Sequence, residues 1–272
     1  MDKNIIIRNF SRCAYVYDRY ADIQKCIAIE LLKLINPVHS IRESASKLRK
    51  GGVKEDNINN ILEVGCGTGN YTLILREKFK NAKIKSIDIS KEMIEVATQK
   101  LEGKKIEFIV GDGETIDLEE RFDLITSNAC FQWFQDLEAA FKKYKRLLKD
   151  NGLISFSIFG PETFWELNES LKRTLENISI SVDNFISQPR LKRLLGNNFK
   201  DITLKETRYE ESFSCLRELL NKIRYSGIRG YSFNGKFLFT TRLLNKIEDY
   251  YLARFNRIRA SYQIFLCQVS MG

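Results

Sequence analysis

Ile61-Leu62-Glu63-Val64-Gly65-Cys66-Gly67-Thr68-Gly69-Asn70-Tyr71 is the stretch whose reading decides the fold. Its first four residues form an apolar run carrying one acid, the length of a buried strand. Three alternate glycines follow, and residues 71–79 take up helical spacing. Downstream the alternation continues: a strand at 83–88, a helix at 91–101 with Ser90 as N-cap, strands at 106–110 and 122–126, and an amphipathic helix at 137–148. Asn151-Gly152 reads as a turn into a strand at 153–159. This β-α-β-α order predicts a parallel sheet with helices on both faces. Beyond Gly160-Pro161 the pattern is less regular, with helices at 162–175, 188–195, 213–224 and 236–254 and strands at 202–210 and 258–269. Upstream, Phe10, Ala14, Tyr17, Ala21, Ala28, Leu31 and Leu32 recur at helical spacing, so residues 10–35 read as one helix ended by Asn36-Pro37. Residues 40–60, with Gly51-Gly52 among them, read as a loop or a short exposed helix.

The expected architecture is therefore α/β: a doubly wound, seven-stranded, mostly parallel, Rossmann-like sheet with a small helical cap. Residues 1–60 would supply a cap helix and a connecting segment, 61–160 the ligand-binding core, and 161–272 further cap helices and the strands that complete the sheet. The 272 residues suffice for such a domain with a sizeable core. Six cysteines occur without a C-x-x-C pair, and the single histidine, His39, leaves no Cys/His metal set. Free thiols in a reducing compartment follow. The first ten residues lack the apolar core of a signal peptide, and no apolar run reaches the length of a membrane span. A cytoplasmic protein is expected. The net charge of +9 favours an acidic partner or a lysine-rich solvated surface.

The glycine spacing separates two ligand classes. A dinucleotide turn wants G-x-G-x-x-G, so that a pyrophosphate meets a helix N-terminus. Here Gly65, Gly67 and Gly69 give G-x-G-x-G, and Glu63 stands two residues before the first. An acid there repels a pyrophosphate and suits a ligand bearing an amine and a sulfonium, which describes S-adenosylmethionine. Asp88 ends the next strand, where an acid binds ribose hydroxyls, with Ile89 beside it. Asp112 and Gly113 follow the third strand, where a carboxylate can accept from an adenine amine. Asn128, Gln132 and Trp133 lie in Ser127-Asn128-Ala129-Cys130-Phe131-Gln132-Trp133 after the fourth strand, at the expected switch point of the sheet. Core packing is the competing account of its aromatics. Asn128 is not followed by the paired prolines and aromatic common in methyltransferases acting on nucleobase amines.

Taken together, residues 63–70, Asp88, residues 111–114 and residues 127–133 resemble the class I methyltransferase pattern. Two further stretches narrow it: Phe10-Ser11-Arg12-Cys13-Ala14-Tyr15-Val16-Tyr17-Asp18-Arg19-Tyr20-Ala21-Asp22-Ile23-Gln24, and Ile158-Phe159-Gly160-Pro161-Glu162-Thr163-Phe164-Trp165-Glu166-Leu167. With them the chain resembles the malonyl-acyl-carrier-protein O-methyltransferases of biotin synthesis from about residue 10 onward, weakening after residue 190. Trans-aconitate methyltransferases look similar in places, and residues 40–60 are longer than the family usually has. The resemblance implies methyl transfer from S-adenosylmethionine to the free carboxylate of a malonyl group on acyl carrier protein or coenzyme A, with neither membrane nor nucleic acid as partner. A carboxylate is already ionised at neutral pH, so no general base is expected. The residues expected to position substrate are Tyr17, Gln132, Trp133 and Arg224. Tyr17, Tyr20 and Gln24 would share one face of the first helix, which the family places over the site. A core tyrosine and a surface arginine are the competing accounts of Tyr17 and Arg224. Two other outcomes stay open: a small-molecule carboxylate methyltransferase, and an inactive or RNA-binding scaffold on the same fold.

Overall fold

Ile61, Leu62 and Val64 are all buried, as a strand covered on both faces requires. A computed structural model describes residues 2–35, 58–175, 181–226 and 240–271. In it these residues belong to β1 (Asn60–Val64), the centre of one sheet with β2 (Lys83–Asp88), β3 (Ile106–Val110), β4 (Phe122–Asn128), β5 (Leu148–Phe159), β6 (Asp201–Phe213) and β7 (Ile258–Ser270). The order is β3-β2-β1-β4-β5-β7-β6. The pairs among β1 to β5 are parallel, and β7 runs antiparallel to β5 and β6.

Nine α-helices are described: α1 (Lys3–Cys13), α2 (Asp22–Ile35), α3 (Asn70–Lys78), α4 (Lys91–Lys100), α5 (Leu137–Leu147), α6 (Trp165–Thr174), α7 (Gln188–Gly196), α8 (Leu216–Tyr225) and α9 (Thr241–Phe255). Alternate strand residues feed two cores. Ile61, Leu124, Leu153 and Ile264 pack with α2, α3, α6 and α9, whereas Leu62, Ile125, Ile154 and Phe265 pack with α5 and α7. The doubly wound architecture is thus the one observed. Among the described residues no helix is long and apolar enough to cross a membrane.

Two local expectations are corrected. Asn151-Gly152 does not turn the chain. It lies inside β5, whose pairing with β4 is irregular between Phe122 and Leu124. The single helix over 10–35 is two helices. The first begins at Lys3, capped by Asp2, whose carboxylate accepts from the Asn4 amide at 2.9 Å. After Cys13 the chain leaves the helix, forms a 3₁₀ turn over Tyr17–Arg19, and re-enters at Asp22. The apolar spacing runs through this break and conceals it. Tyr15-Val16-Tyr17 are modest helix formers. The Asp18 carboxylate is taken by Thr68 and Asn70 at the start of α3 and by Lys100, and the Lys25 ammonium donates to the Asp18 carbonyl at 2.6 Å. Tyr17, Tyr20 and Gln24 consequently do not share a helix face. The segment expected at 40–60, Gly51-Gly52 and His39 fall outside the described residues up to residue 57.

The strand order reverses between β1 and β4, which opens a crevice above their carboxyl ends. Gly69 closes the loop leading from β1 into α3 with φ +82°, and a Cβ there would come 2.9 Å from Leu101 Cδ1 and 3.2 Å from Ala97 Cβ. It sets the approach of α3 to α4. Gly69→Ala is expected to lower stability by about 1–3 kcal/mol through left-handed strain and crowding, read as a lower urea midpoint. An unchanged midpoint would mean that α4 yields without cost.

Candidate active site

Glu63 carries a carboxylate into the middle of the sheet. It is only 1 % exposed, in register with Ser86 of β2 and Thr126 of β4. Its Oε2 accepts from Thr72 Oγ1 at 2.6 Å and Ser86 Oγ at 2.8 Å, while Oε1 has no hydrogen-bond partner. Burial pushes its pKa up to about 7; the two hydroxyl bonds oppose this and the charge of Asp88 adds to it. Asp88, at the end of β2, accepts from the Gly67 amide at 2.8 Å through Oδ2 and from the Ser90 amide at 2.9 Å through Oδ1. Burial raises it to about 6 against those backbone bonds. Between the two acids the loop arches with Gly65 at φ +75°, where a Cβ would meet Cys130 Sγ at 2.3 Å.

Above this loop lies an open cleft. Gly65, Gly67, Asp88, Ile89, Asp112 and Gly113 form its floor and one wall; Asn128, Ala129, Cys130 and Trp133 form a second. The third wall is the cap: Lys3, Ile6 and Phe10 of α1, and Tyr17. Polar pins hold the cap down. Lys3 Nζ lies 3.0 Å from Asp112 Oδ1 and 2.5 Å from Glu114 Oε2. Ser11 bonds Ser90 at 3.1 Å and also Glu92. Asp18 accepts from Thr68 at 2.5 Å, Asn70 at 2.8 Å and Lys100 at 2.5 Å. Phe10 sets its ring edge-on to Trp133 at 6.1 Å.

Nine of the residues singled out from sequence therefore border one cleft: Tyr17, Gly65, Gly67, Asp88, Ile89, Asp112, Gly113, Asn128 and Trp133. Four do not. Glu63 lies beneath the glycine loop, its visible bonds all to protein hydroxyls. Gly69 faces α4. Gln132 turns into a neighbouring groove. Arg224 is exposed on the last turn of α8, because the inward positions there belong to its neighbours. Lys222 is buried between Asp22 at 3.1 Å and Glu211 at 2.8 Å, and Tyr225 lies against Tyr20 at 5.0 Å between ring centres. Asn128 borders the cleft with its amide already engaged, donating to the Gln24 carbonyl at 2.9 Å and accepting from Ser157 at 2.8 Å. Phe131 is core, packed among Phe141, Tyr144 and Phe156.

The lining fits a nucleoside-bearing ligand. Asp88 is fixed by backbone amides with lone pairs to spare, apolar Ile87, Ile89 and Met93 flank it, and a Cβ on Gly67 would meet only open space. A methyltransferase domain model matches residues 62–156, from β1 into β5. Malonyl-[acyl-carrier protein] O-methyltransferase 2 of Ilyobacter polytropus is 36% identical over 92% of this chain and 90% of its own. The corresponding protein of Bacillus anthracis is 34% identical over 84% and 81%. The chain belongs to this family. In fold it also matches phosphoethanolamine N-methyltransferase 2 of Haemonchus contortus, with TM-score 0.56 and 15% identity over 96% of this chain and 57% of that one. The protein is a class I methyltransferase, and S-adenosylmethionine is its methyl donor.

Sequence reasoning missed three features of this methyltransferase. Lys3 and Ile6 lie in a stretch read only for a leader signal, although Ile6, Phe10, Cys13 and Ala14 repeat at helical spacing. Asp18 has no sequence signature, because its three partners come from distant segments. Cys130 fills the space that Gly65 leaves empty. Burial raises the Tyr17 hydroxyl and the Cys130 thiol far above their usual pKa, so both stay protonated at neutral pH.

Glu63 makes a pH prediction. Its folded pKa of about 7 lies above the unfolded carboxyl value near 4. Between those values the folded state holds a proton that the unfolded state has released, so the contribution of Glu63 improves as pH falls from 8 to 5. Urea unfolding of wild type and Glu63→Gln across that range should show the difference shifting towards wild type by up to about 3 kcal/mol at low pH. Parallel profiles would show that Glu63 does not titrate there.

Proposed function

We propose that the enzyme transfers the methyl group of S-adenosylmethionine to the free carboxylate of a malonyl group on acyl carrier protein, giving the methyl ester that enters biotin synthesis. The observation that carries the reading, beside the family, is a cleft whose hydroxyl and thiol are held neutral. Tyr17 and Cys130 cannot act as bases near pH 7, and no histidine is among the described lining residues. Such a site suits a nucleophile that arrives ionised, as a carboxylate does.

When bound, the cofactor supplies an electrophilic methyl sulfonium. Gly65 and Gly67 would give its amino-acid part room against the loop, and Asp88 would accept from the ribose hydroxyls. Ile89, Asp112 and Gly113 hold the adenine, with Lys3 closing over Asp112. Glu63 keeps the glycines arched from beneath the loop through its bonds to Thr72 and Ser86. Tyr17 would donate a hydrogen bond from its hydroxyl to the incoming carboxylate, while Trp133 and Phe10 would exclude water beside it. The net charge of +9 suits the acidic surface of a carrier protein, and a cytoplasmic location suits such a partner.

Incubation with S-adenosylmethionine and, separately, malonyl-carrier protein, malonyl-coenzyme A and trans-aconitate tests the assignment, with methyl ester detected by mass. Malonyl-carrier protein is expected to turn over with the highest kcat/KM. Preference for coenzyme A would move the acceptor to the free thioester, preference for trans-aconitate would replace malonyl altogether, and no turnover would leave a scaffold. Asp88→Ala is expected to weaken S-adenosylmethionine binding by roughly 1–3 kcal/mol in calorimetry; unchanged affinity would remove Asp88 from the cofactor site.

A further inference from the structure

Beside the cofactor cleft, between α7 and the segment that follows β4, runs an open groove. Its sequence-derived member is Gln132, expected to position substrate and found outside the cleft. Gln132 is 9 % exposed. Its Nε2 donates to the Ala129 carbonyl at 2.6 Å, which fixes the orientation of the amide. Its Oε1 has no hydrogen-bond partner. A buried acceptor left unpaired costs about 1–3 kcal/mol, a cost that a ligand bringing an N–H or O–H donor removes.

The groove also carries charge of one sign to spare. Of the two acids among its described lining residues, Glu138 pairs with Lys142 at 2.8 Å, and Asp136 directs its carboxylate to the Ala139 amide at 2.9 Å as the cap of α5. Arg190 and Arg193 stand one turn apart on α7, exposed, with no described carboxylate within 4 Å. Paired guanidinium groups are suited to a phosphate. Groove and cleft are neighbours: Phe134 borders both, and Phe185 of the groove sets its ring against Trp133 of the cleft at 5.9 Å.

We propose that this groove receives the phosphopantetheine arm of the carrier protein, with Arg190 and Arg193 on the arm's phosphate and Gln132 Oε1 accepting from one of its amide N–H groups. The arm has the matching chemistry: an anionic phosphodiester at one end, two amides along its length, and an acyl thioester at the other end to turn past Phe185 towards Trp133 of the cleft. The inference rests on the malonyl-carrier reading and adds the route by which the acyl group arrives.

Two measurements test it. At saturating S-adenosylmethionine, the wild-type enzyme should have a lower KM for malonyl-phosphopantetheine than for malonyl-pantetheine. The double variant Arg190→Ala/Arg193→Ala should raise KM for malonyl-carrier protein and malonyl-phosphopantetheine about tenfold, with little change in kcat or in KM for malonyl-pantetheine. Gln132→Leu should raise KM for both small thioesters alike. An unaltered phosphate preference in the double variant would place the arm elsewhere. Calorimetric titration with 4′-phosphopantetheine reads the groove without turnover: binding by wild type, lost in the double variant at an unchanged unfolding midpoint, supports the groove, and equal or absent binding overturns it. A chain that binds 4′-phosphopantetheine through these arginines yet methylates no malonyl thioester would refute the malonyl reading alone.

Discussion

The carboxylate of Glu63, buried at the centre of the sheet, is the constraint on which the rest depends. Through Ser86 it ties β1 to β2, and through Thr72 it fixes the first turn of α3. The glycine loop spans the short distance between those anchors and has one way to arch. One strand away, Asp88 takes the Gly67 amide and the start of α4 in the same grip. Desolvation raises the pKa of both acids, and the charge of Asp88 raises that of Glu63 further. The fold accepts that cost because each acid orients a backbone that a ligand must approach closely. An apolar residue at 63 would leave two hydroxyls unpaired beneath the loop.

The cap is bound to this foundation by chemistry of another kind. Its pins to the body are hydrogen bonds and ion pairs at the rim of the cleft, from Lys3, Ser11 and Asp18. Part-exposed ion pairs of this kind contribute little each and weaken with salt. The glycine loop is held by the carboxylates of Glu63 and Asp88, whereas the wall that covers it is held by these rim contacts together with the apolar packing of Ile6, Cys13 and Ala14 against the body. Loop and cap are accordingly held by different means, a division suited to a site that must admit a cofactor and release its product.

What could be read from sequence follows the same division. The strand–glycine–helix run, Asp88 at the next strand end and the stretch after β4 were legible because sheet geometry brings strand ends together whatever the loops do. Hence nine residues chosen by position converge on one cleft. The cap was not legible in the same way. Apolar residues at helical spacing continue from Phe10 to Leu32, so the break at Tyr17–Arg19 leaves no trace in periodicity; it is imposed by Asp18 reaching Thr68, Asn70 and Lys100. Arg224 was chosen for its charge and its place in the second half, but a helix buries one stripe only, and in α8 that stripe takes Lys222 while Arg224 stays in water. For Glu63, spacing shows that an acid precedes the glycines but not which way it points.

The chain contains only two tryptophans, Trp133 and Trp165, and the fold sets them in unlike surroundings. Trp133 lines the cleft and touches the cap through Phe10, whereas Trp165 packs edge-on to Phe255 at 5.3 Å, with α9. Intrinsic fluorescence is thereby divided into two local signals. One indole lies where cap and ligand meet, and the other reports on the far helical layer. Excited at the tryptophan edge, the protein carries its own gauge of the cleft and its own internal reference, without a dye attached at any of its six free cysteines.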